Sequence, residues 1–368
     1  MGNKICVYAI AKNEEQFVDR WVESMKEADY IVVLDTGSED NTVEKLRSHG
    51  VTVEQKIITP WRFDVARNES LKLVPEDANI LVCTDLDEIL EPGWGDKLRN
   101  NWIDGEHVQC YYKYAWSHDD NGNPARIFLY NKIHDRNWKW KHPVHEGLVS
   151  DYSDEYLCCH VLNMFDEIYL HHYADRTKSR SSYLPLLELR RDESPDDYTG
   201  RFYLSHEYYY QGLYFESIEE INYLLNNHRN DFTPTELAAC YMFIGDNFRA
   251  LNNLDRALEA YHIAINHDRT LREPYLYAAE CYNIFGMYHC AVGMVNQALN
   301  DTIRHYSWLE RDASWKEQPY DILSISYFYL GDIRNSYDNC MKAYRLNPHD
   351  EHISNNKLLI ENEFYKNI

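Results

Sequence analysis

Residues 79–88 have the sequence NILVCTDLDE, in which an apolar run leads directly into acidic side chains. Short apolar runs bounded by polar residues are typical of buried strands, and we predict one over Asn79–Asp85. Similar runs occupy Lys4–Ala11 (KICVYAIA), Tyr30–Asp35 (YIVVLD) and Val51–Lys56. The longer runs are continuously apolar rather than alternating, which favours parallel strands covered on both faces. We therefore predict an α/β domain whose polar residues gather where the strands end.

Helical segments separate these strands. Asn13–Ala28 places Phe17, Trp21 and Met25 at intervals of four residues, as on one helix face, and Asp40–His49 precedes a glycine that suits a helix end. The alternation of strand and helix predicts right-handed crossovers. It also predicts a ligand crevice beyond the carboxyl ends of the strands.

The composition excludes several classes of protein. The chain has 368 residues, of which 44% are hydrophobic and 26% charged, so two globular domains are expected. No apolar run is long enough to span a membrane, and the first is too short for a secretory signal, so we expect a cytoplasmic protein, in the host cytoplasm if the source is viral. The formal charge of −23 disfavours nucleic-acid and membrane binding. The nine cysteines lack a CxxC pair, and we interpret them as reduced thiols.

From about residue 200 the strand pattern gives way to tyrosine-rich helical pairs. Four segments share a small or turn-forming residue, a small residue five positions on, and an apolar or small residue seven further on: Gly212/Ser217/Leu224, Asn252/Ala257/Ala264, Gly286/Ala291/Ala298 and Gly331/Ser336/Ala343. Their first members are about 40, 34 and 45 residues apart, and 34 is the tetratricopeptide period. This half therefore resembles tetratricopeptide repeats, with an ordinary helical bundle as the alternative. We predict domains at 1–195 and 196–368.

The acidic residues that follow the strand at 79–85 are the first candidates for chemistry. In an extended chain Asp85 and Asp87 point to one face, where two carboxylates repel each other unless a cation lies beside them. Mg²⁺ or Mn²⁺ is the natural partner, because hard divalent ions take oxygen ligands from carboxylates and substrate phosphates. A solvated turn that caps the next helix is the alternative.

Other polar side chains follow the first two strands. Asp35 ends a buried strand and precedes Gly37, which allows close backbone approach, so this carboxylate is placed to bond a nucleobase or ribose. The end of the first strand adds Ala11, Asn13 and Glu14 as further candidates for the nucleotide.

Arg67 is the candidate cation of the segment WRFDVARN (61–68). Its guanidinium fork suits phosphate or carboxylate, which makes it a candidate for donor binding. The alternative is that Arg67 only pairs with Asp64, three positions earlier.

Together and in this order, the polar segments resemble the nucleotide-sugar-dependent glycosyltransferases of the GT-A fold, family 2 type. The matching segments are AIAKNEE (9–15), VVLDTGSEDNT (32–42), WRFDVARN (61–68), TDLDE (84–88), HPVHEG (142–147) and YLHHYAD (169–175). The resemblance is greatest to the subgroup in which such a domain precedes tetratricopeptide repeats, including enzymes that glycosylate peptides. It implies transfer, typically inverting, of a sugar from UDP-glucose or another UDP-hexose to a peptide, protein or other acceptor, with Mn²⁺ or Mg²⁺ as cofactor.

The resemblance also implies roles for individual residues. Asp87 would bind the metal directly, Asp85 would contact the ribose or the metal through water, and Asp35 would contact the nucleoside. His172 matches the histidine that often completes the metal site in GT-A enzymes, and His171 is its rival.

The reaction also needs a base to take the proton of the acceptor. Glu146 is the first choice and His145 the second, both in the segment HPVHEG. Arg176 and Lys178 are candidates for the diphosphate. The aromatic segments QCYYKYAW (109–116) and WKW (138–140) form either a platform for sugar or acceptor or the core of a hairpin.

Two other functions stay open from the sequence. The same chemistry on a hydroxymethylated DNA base, as in some phage-type transferases, would make nucleic acid an acceptor substrate despite the bulk charge. A helical-repeat scaffold with a degenerate first domain would need no catalysis. In the favoured interpretation the repeats bind the acceptor or form a homodimer, and no membrane partner is expected.

Overall fold

The computed structural model describes residues 2–119, 122–175, 181–305 and 309–366. The chain divides into two compact units, Met1–Pro195 and Asp196–Ile368. The first is α/β and the second is all-helical, which confirms the predicted fold class. No helix among the described residues is long and apolar enough to cross a membrane.

The elements of the first unit alternate between strand and helix in its first half. In chain order they are β1 (Ile5–Ala11), α1 (Val18–Met25), β2 (Tyr30–Asp35), α2 (Thr42–Ser48), β3 (Thr52–Gln55), α3 (Phe63–Leu71), β4 (Ile80–Cys83), β5 (Glu88–Leu90), α4 (Trp94–Asn101), β6 (Gln109–His118), β7 (Pro124–His134), β8 (Trp138–Lys141), β9 (Gly147–Ser150), α5 (Asp154–His160), β10 (Val161–His172) and α6 (Tyr183–Glu193). The predicted strands and helices are present with ends shifted by a few residues. The largest shift is at α1, because a bend at residue 13 and a turn at residues 15–17 precede the helix.

One eight-stranded sheet organises this unit, in the order β3-β2-β1-β4-β7-β6-β10-β5. The four strands predicted from apolar runs, β1 to β4, are parallel neighbours. β7 then pairs antiparallel with both β4 and β6, so the second half of the sheet is mixed. β8 and β9 form a separate antiparallel pair.

The continuously apolar sequence of β1 reflects burial on both faces of the sheet. Ile5 and Val7 belong to one core cluster, together with Trp21 of α1, whereas Cys6 and Tyr8 belong to a second cluster on the other face. All of these side chains are fully buried. The central strands therefore hold their carboxyl ends in fixed positions, where the polar segments begin.

The second unit consists of paired helices. They are α7 (Tyr198–Tyr210), α8 (Tyr214–Asn227), α9 (Pro234–Ala250), α10 (Leu254–His267), α11 (Glu273–Ile284), α12 (Tyr288–Asp301), α13 (Asp312–Trp315), α14 (Gln318–Tyr329), α15 (Ile333–Leu346) and α16 (Glu351–Lys366). The turns inside the pairs contain Gly212, Asn252, Gly286 and Gly331, all with positive φ between 57 and 76°. These are the first members of the predicted repeats, so the tetratricopeptide-like pairing is confirmed. The longest offset arises because α13 and its flanking segments separate α12 from α14.

Gly245 of α9 permits the close approach of α10. A Cβ at this position would lie 2.4 Å from Cε1 of Tyr261, whose ring is fully buried and whose hydroxyl donates to Asp246 at 2.8 Å. Gly245→Ala is therefore expected to destabilise the helical unit by about 1–3 kcal/mol, because the ring cannot move without losing this bond. Thermal unfolding of the full chain measures the effect.

Gly293 of α12 is the matched control for this substitution. Its added Cβ would meet no atom within 4 Å, so Gly293→Ala should be neutral or stabilising by up to about 1 kcal/mol. Equal melting temperatures for the two variants would contradict the close contact at Gly245.

Candidate active site

The acidic segment after β4 forms a turn rather than an extended strand. β4 ends at Cys83, the amide of Glu88 donates to the carbonyl of Asp85 at 3.0 Å, and β5 begins at Glu88. The prediction that Asp85 and Asp87 share one face of an extended chain is therefore wrong, because the turn interrupts the two-residue period. The two half-buried carboxylates face different partners.

Asp85 contacts two buried cations. Nη2 of Arg67 lies 2.9 and 3.2 Å from its two carboxylate oxygens, and Nζ of Lys132 lies 3.6 Å away. Only 4% of the Arg67 side chain and 11% of the Lys132 side chain are exposed. Burial alone would raise the pKa of Asp85, but the two cations outweigh burial and hold that pKa well below its usual range. Asp85 is therefore ionised and anchors both cations.

Arg67 links Asp85 to Glu146, the predicted base. Nε of Arg67 donates to Glu146, whose side chain is 9% exposed, and the guanidinium lies 5.0 Å from the ring centre of Trp140. The four charged side chains thus form an alternating series: Lys132, Asp85, Arg67 and Glu146. In this series each carboxylate touches at least one cation.

The alternative prediction, that Arg67 only pairs with Asp64, is wrong. Asp64 pairs instead with Arg62, through contacts of 3.0 and 2.9 Å. Arg62 lies just before α3 and folds back onto Asp64 in its first turn, whereas Arg67 lies one turn further and points into the core.

Asp87 faces His172, at the end of β10. Oδ2 of Asp87 lies 3.3 Å from Nε2 of His172, and Nδ1 of His172 donates to the carbonyl of Trp116 at 3.1 Å. The antiparallel register places His172 opposite Glu88. Burial opposes protonation of His172, but Asp87 outweighs burial and raises the pKa of this imidazole to about 9.

His171, the rival of His172, points away from Asp87. Its Nδ1 contacts Nε2 of His118 at 3.0 Å, and its Nε2 contacts Glu91 at 3.0 Å. Adjacent strand residues face opposite sides of a sheet, which explains the separation of the two histidines.

Glu88 and Lys132 are members of this cluster that we did not single out from the sequence. Glu88 is 1% exposed and accepts hydrogen bonds from the hydroxyl of Tyr114 at 3.0 Å and from the amide of Asp85 at 2.9 Å. Burial raises the pKa of Glu88 to about 7. The available signals were the third acidic residue of TDLDE and a lysine inside the strand β7.

The loop that carries Glu146 is held by α6. Arg190 donates to the carbonyls of Val144 at 3.2 Å and of His145 at 2.9 Å. His145 has a φ of 48°, and its ring packs edge-on against Tyr183 with centroids 5.8 Å apart. The second candidate base therefore lies against α6, while Glu146 reaches the charged cluster.

Five of the residues predicted to bind the nucleotide lie where β1 and β2 end: Ala11, Asn13, Glu14, Asp35 and Gly37. Asp35 is fully buried, and its carboxylate accepts from the amides of Gly37 at 3.2 Å and Ser38 at 3.1 Å. The carboxamide of Asn13 accepts from the amide of Glu39 at 2.8 Å. Asp35 thus bonds to its own loop in this structure, and its contact with a nucleoside stays a prediction.

Ala11 and Glu14 also tie these two loops together. The carbonyl of Ala11 accepts from the amide of Thr36 at 2.8 Å, and the amide of Glu14 donates to Thr42 at 2.7 Å. These five residues therefore lie on two connected loops at one edge of the sheet, whereas Arg67 and Asp85 belong to the charged cluster. Arg176 and Lys178, predicted for the diphosphate, lie outside the described residues.

A buried polar chain supports Trp140 beneath Arg67. Nε1 of Trp140 donates to the hydroxyl of Tyr8 at 2.9 Å, and this hydroxyl donates to Nε2 of His134 at 2.6 Å. Nδ1 of His134 donates to the carbonyl of Asp135 at 2.6 Å. Burial lowers the pKa of His134 to about 4, so the imidazole is neutral in the folded protein.

This neutral histidine predicts acid sensitivity of the first unit. Above pH about 6.5 the imidazole of His134 is neutral in both the folded and the unfolded protein. As the pH falls towards 4, this imidazole binds a proton in the unfolded chain but not in the folded chain. His134 should therefore account for a loss of about 1.5–2 kcal/mol in unfolding free energy between pH 7 and pH 5. Urea unfolding of the native protein and of His134→Gln measures the difference. A variant that loses as much stability as the native protein over this range would contradict the assignment.

Asp87 and His172 are the residues that fit a divalent metal. Within the described ranges, no group of three or more His, Cys, Asp and Glu side chains is placed to hold a metal ion. Asp87 and His172 nevertheless offer a carboxylate oxygen and an imidazole nitrogen 3.3 Å apart on partly exposed side chains. Mg²⁺ is commonly held by one or two protein ligands, with substrate phosphates and water completing its shell. The pair fits a site of this kind, while Asp85 is engaged by Arg67 and Lys132.

Comparison with known proteins identifies the first unit. Residues 6–169 match the family model described as glycosyl transferase family 2. This range includes the elements that supply Arg67, Asp85, Asp87, Lys132 and Glu146. No curated protein matches the chain.

Several solved structures of tetratricopeptide proteins resemble part of the chain. A thermophilic protein of Thermus thermophilus is 19% identical over 49% of this chain and 89% of its own, with a TM-score of 0.37. The first such domain of human RPAP3 is 15% identical over 36% and 95%, with a TM-score of 0.31. YrrB, described as having an unusual peptide-binding site, is 14% identical over 48% and 82%, with a TM-score of 0.37.

The helix pairs of the second unit and their turn residues are those of tetratricopeptide-like repeats. The chain therefore carries a glycosyl transferase family 2 domain with a GT-A-like mixed sheet, followed by tetratricopeptide-like helix pairs.

Proposed function

We propose that this protein is a metal-dependent, inverting glycosyltransferase that moves a hexose from a UDP-sugar, with UDP-glucose as the expected donor, to a peptide or protein. The family 2 domain supports glycosyl transfer in general. The observation that carries the finer proposal is the position of two groups beside one turn: the Asp87–His172 pair, and Asp85 with its two buried cations.

The charges of this site suit a diphosphate leaving group. Negative charge develops on the diphosphate as the glycosidic bond breaks, and groups fixed in advance stabilise it best. A Mn²⁺ or Mg²⁺ ion held by Asp87 and His172 would supply positive charge at that point. Arg67 and Lys132 place two fixed cations beside the same turn, where their charges are balanced by the carboxylates of Asp85 and Glu146. Asp85 keeps these two cations side by side against their mutual repulsion.

Glu146 remains the proposed base. Its carboxylate belongs to the same cluster through Arg67, which orients it. In the reaction it would take the proton of the acceptor on the face of the sugar opposite the leaving group. His145 is the weaker candidate, because its ring packs against Tyr183.

The acceptor is proposed to be recognised with the help of the helical unit, since stacked helix pairs offer extended surfaces for chains. The same surface is the proposed contact of a homodimer. The nine free thiols agree with a cytoplasm-like compartment.

A scaffold without catalysis is disfavoured by the buried charges. Burying Arg67 and Lys132 with carboxylates costs free energy, and apolar residues at these positions would make a purely structural domain more stable. No observation in the described residues favours a DNA base as acceptor.

The proposal is tested with the purified full chain and a panel of UDP-glucose, UDP-galactose and UDP-N-acetylglucosamine. UDP release is measured with Mn²⁺, with Mg²⁺ and with EDTA, and peptide acceptors are screened for added hexose mass. Metal-stimulated UDP release from at least one donor is the expected result. Absence of both UDP binding and UDP release under all conditions would overturn the proposal.

A further inference from the structure

Trp116 is an exposed aromatic side chain next to the Asp87–His172 pair. It is 43% exposed, whereas the other large aromatics of the two predicted platform segments are buried or partly buried. Trp138 and Trp140 are 6% and 4% exposed and belong to the core, so the segment WKW follows the second of its two alternatives, the core of a hairpin. Trp116 is left as the one strongly exposed ring of these segments.

A β-bulge presents this indole. β6 and β7 pair Ala115 with Ile127 and Ser117 with Arg126, so Trp116 is the additional residue on β6. Bulges re-aim a side chain and are frequent beside active sites. The bulge therefore turns the side chain of Trp116 outwards, whereas the regular alternation of β6 would place it on the buried side with Tyr112 and Tyr114.

Two contacts fix the position of Trp116 relative to the proposed metal ligands. Its carbonyl accepts from Nδ1 of His172, and the two ring centroids lie 6.5 Å apart. The guanidinium of Arg126 lies over the indole, 5.1 Å from its ring centre. A cation over the π face holds the ring in one orientation, so little freedom has to be lost when a ligand stacks on it.

The order of the strands separates Trp116 from the loops that follow β1 and β2. Five of the residues predicted to bind the nucleotide lie where β1 and β2 end, and Asp85 follows β4, whereas Trp116 lies on β6, beyond β4 and β7 in the sheet. His172 lies on β10, the neighbour of β6 on the other side. Trp116 therefore lies three strands away from β1 and directly beside the strand that carries His172, near the proposed diphosphate site and away from the loops after β1 and β2.

We propose that Trp116 is a stacking platform for a pyranose ring, belonging either to the donor hexose or to a sugar on the acceptor. The C–H face of a pyranose carries slight positive charge and complements the negative π face of an indole. This inference rests on the proposed glycosyl transfer and names a residue that selects for the sugar. It predicts that Trp116 contributes to binding of the hexose and not to binding of the nucleotide.

The test compares Trp116→Ala with Trp116→Phe, which keeps an aromatic face, and with Leu129→Ala. Leu129 is 48% exposed on β7 of the same ribbon and serves as the matched control. In the donor arm, calorimetry with Mn²⁺ gives the Kd of UDP and of the UDP-hexose that the protein hydrolyses fastest. In the acceptor arm, calorimetry gives the Kd of a methyl glucoside.

A donor platform predicts that Trp116→Ala raises the Kd of the UDP-hexose at least fivefold and leaves the Kd of UDP within twofold. An acceptor platform predicts that the native protein binds the methyl glucoside and that Trp116→Ala raises the Kd of the glucoside at least fivefold. In both cases Trp116→Phe retains most of the effect and Leu129→Ala resembles the native protein. If Trp116→Ala matches the native protein in both arms, the platform is refuted while the proposed function stands. If the native protein binds no UDP, the proposed function fails with it.

Discussion

Replacing Arg67 by methionine is expected to destabilise the first unit by about 3–5 kcal/mol and to abolish turnover of the UDP-sugar. The side chain is almost fully buried and contacts both Asp85 and Glu146. Methionine fills a similar volume, but it leaves Glu146 buried without its cation and leaves Asp85 with Lys132 alone. The cost is that of an uncompensated buried charge rather than of a lost surface ion pair.

Urea unfolding at pH 7 measures the change, with Arg62→Met as the control. Arg62 also bridges two carboxylates, Asp64 and Glu193, but it lies nearer to solvent with 20% of its side chain exposed. Its loss should cost about 1 kcal/mol, as for a pair that solvent partly screens. If Arg67→Met proves as stable as Arg62→Met, Arg67 is not the cation that compensates the buried carboxylates of Asp85 and Glu146.

Arg67→Lys separates folding from activity if Arg67→Met does not fold. Lysine keeps the charge but lacks the planar fork that reaches two carboxylates at once. This variant is expected to fold with reduced stability and still to lose most of its turnover. Near-native turnover in Arg67→Lys would show that charge alone suffices at this position.

The second large effect is expected for Asp87→Asn. Metal-stimulated UDP release should fall by a factor on the order of 10²–10³, comparable to the loss of one group that stabilises developing charge. Asp96→Asn, which changes a carboxylate that is 88% exposed on α4, is the matched control and should leave UDP release unchanged.

The pH dependence distinguishes loss of a metal ligand from loss of stability. Asp87 raises the pKa of His172 to about 9, so the stability that the pair contributes without metal is fully present below pH 6.5 and is lost as the pH rises through 9. Asp87→Asn should therefore be less stable than the native protein by about 1–3 kcal/mol at pH 6 and equally stable above pH 9. The defect in UDP release should persist at pH 9. Recovery of UDP release there would assign Asp87 a structural role only.

The sequence was sufficient to predict the parts of the fold that local pattern determines. The apolar runs of β1 to β4 predicted parallel strands because buried central strands need apolar residues on both faces. The turn residues Gly212, Asn252, Gly286 and Gly331 identified the helix pairs because each adopts positive φ at a tight turn. The irregular spacing before the last pair could not be interpreted, since it depends on the inserted segment around α13.

The site was less predictable because its contacts join distant segments. Lys132 reaches Asp85 only because β7 inserts beside β4, and nothing in the local sequence specifies that neighbour. Arg67 had an acidic residue three positions away, yet the fold pairs it with Asp85 and Glu146 instead. A single turn bond after β4 separated Asp85 from Asp87, which a strand period could not predict.

Calorimetric titration of UDP into the full chain, with Mn²⁺ and with EDTA, tests most directly whether a metal ion at Asp87 and His172 binds the diphosphate. If Asp87 and His172 hold an ion that binds the diphosphate, UDP should bind at least tenfold more tightly with Mn²⁺. The enhancement should disappear in Asp87→Asn and persist in Asp96→Asn. Equal affinity for UDP with and without metal in the native protein, or no affinity in either case, would contradict the account.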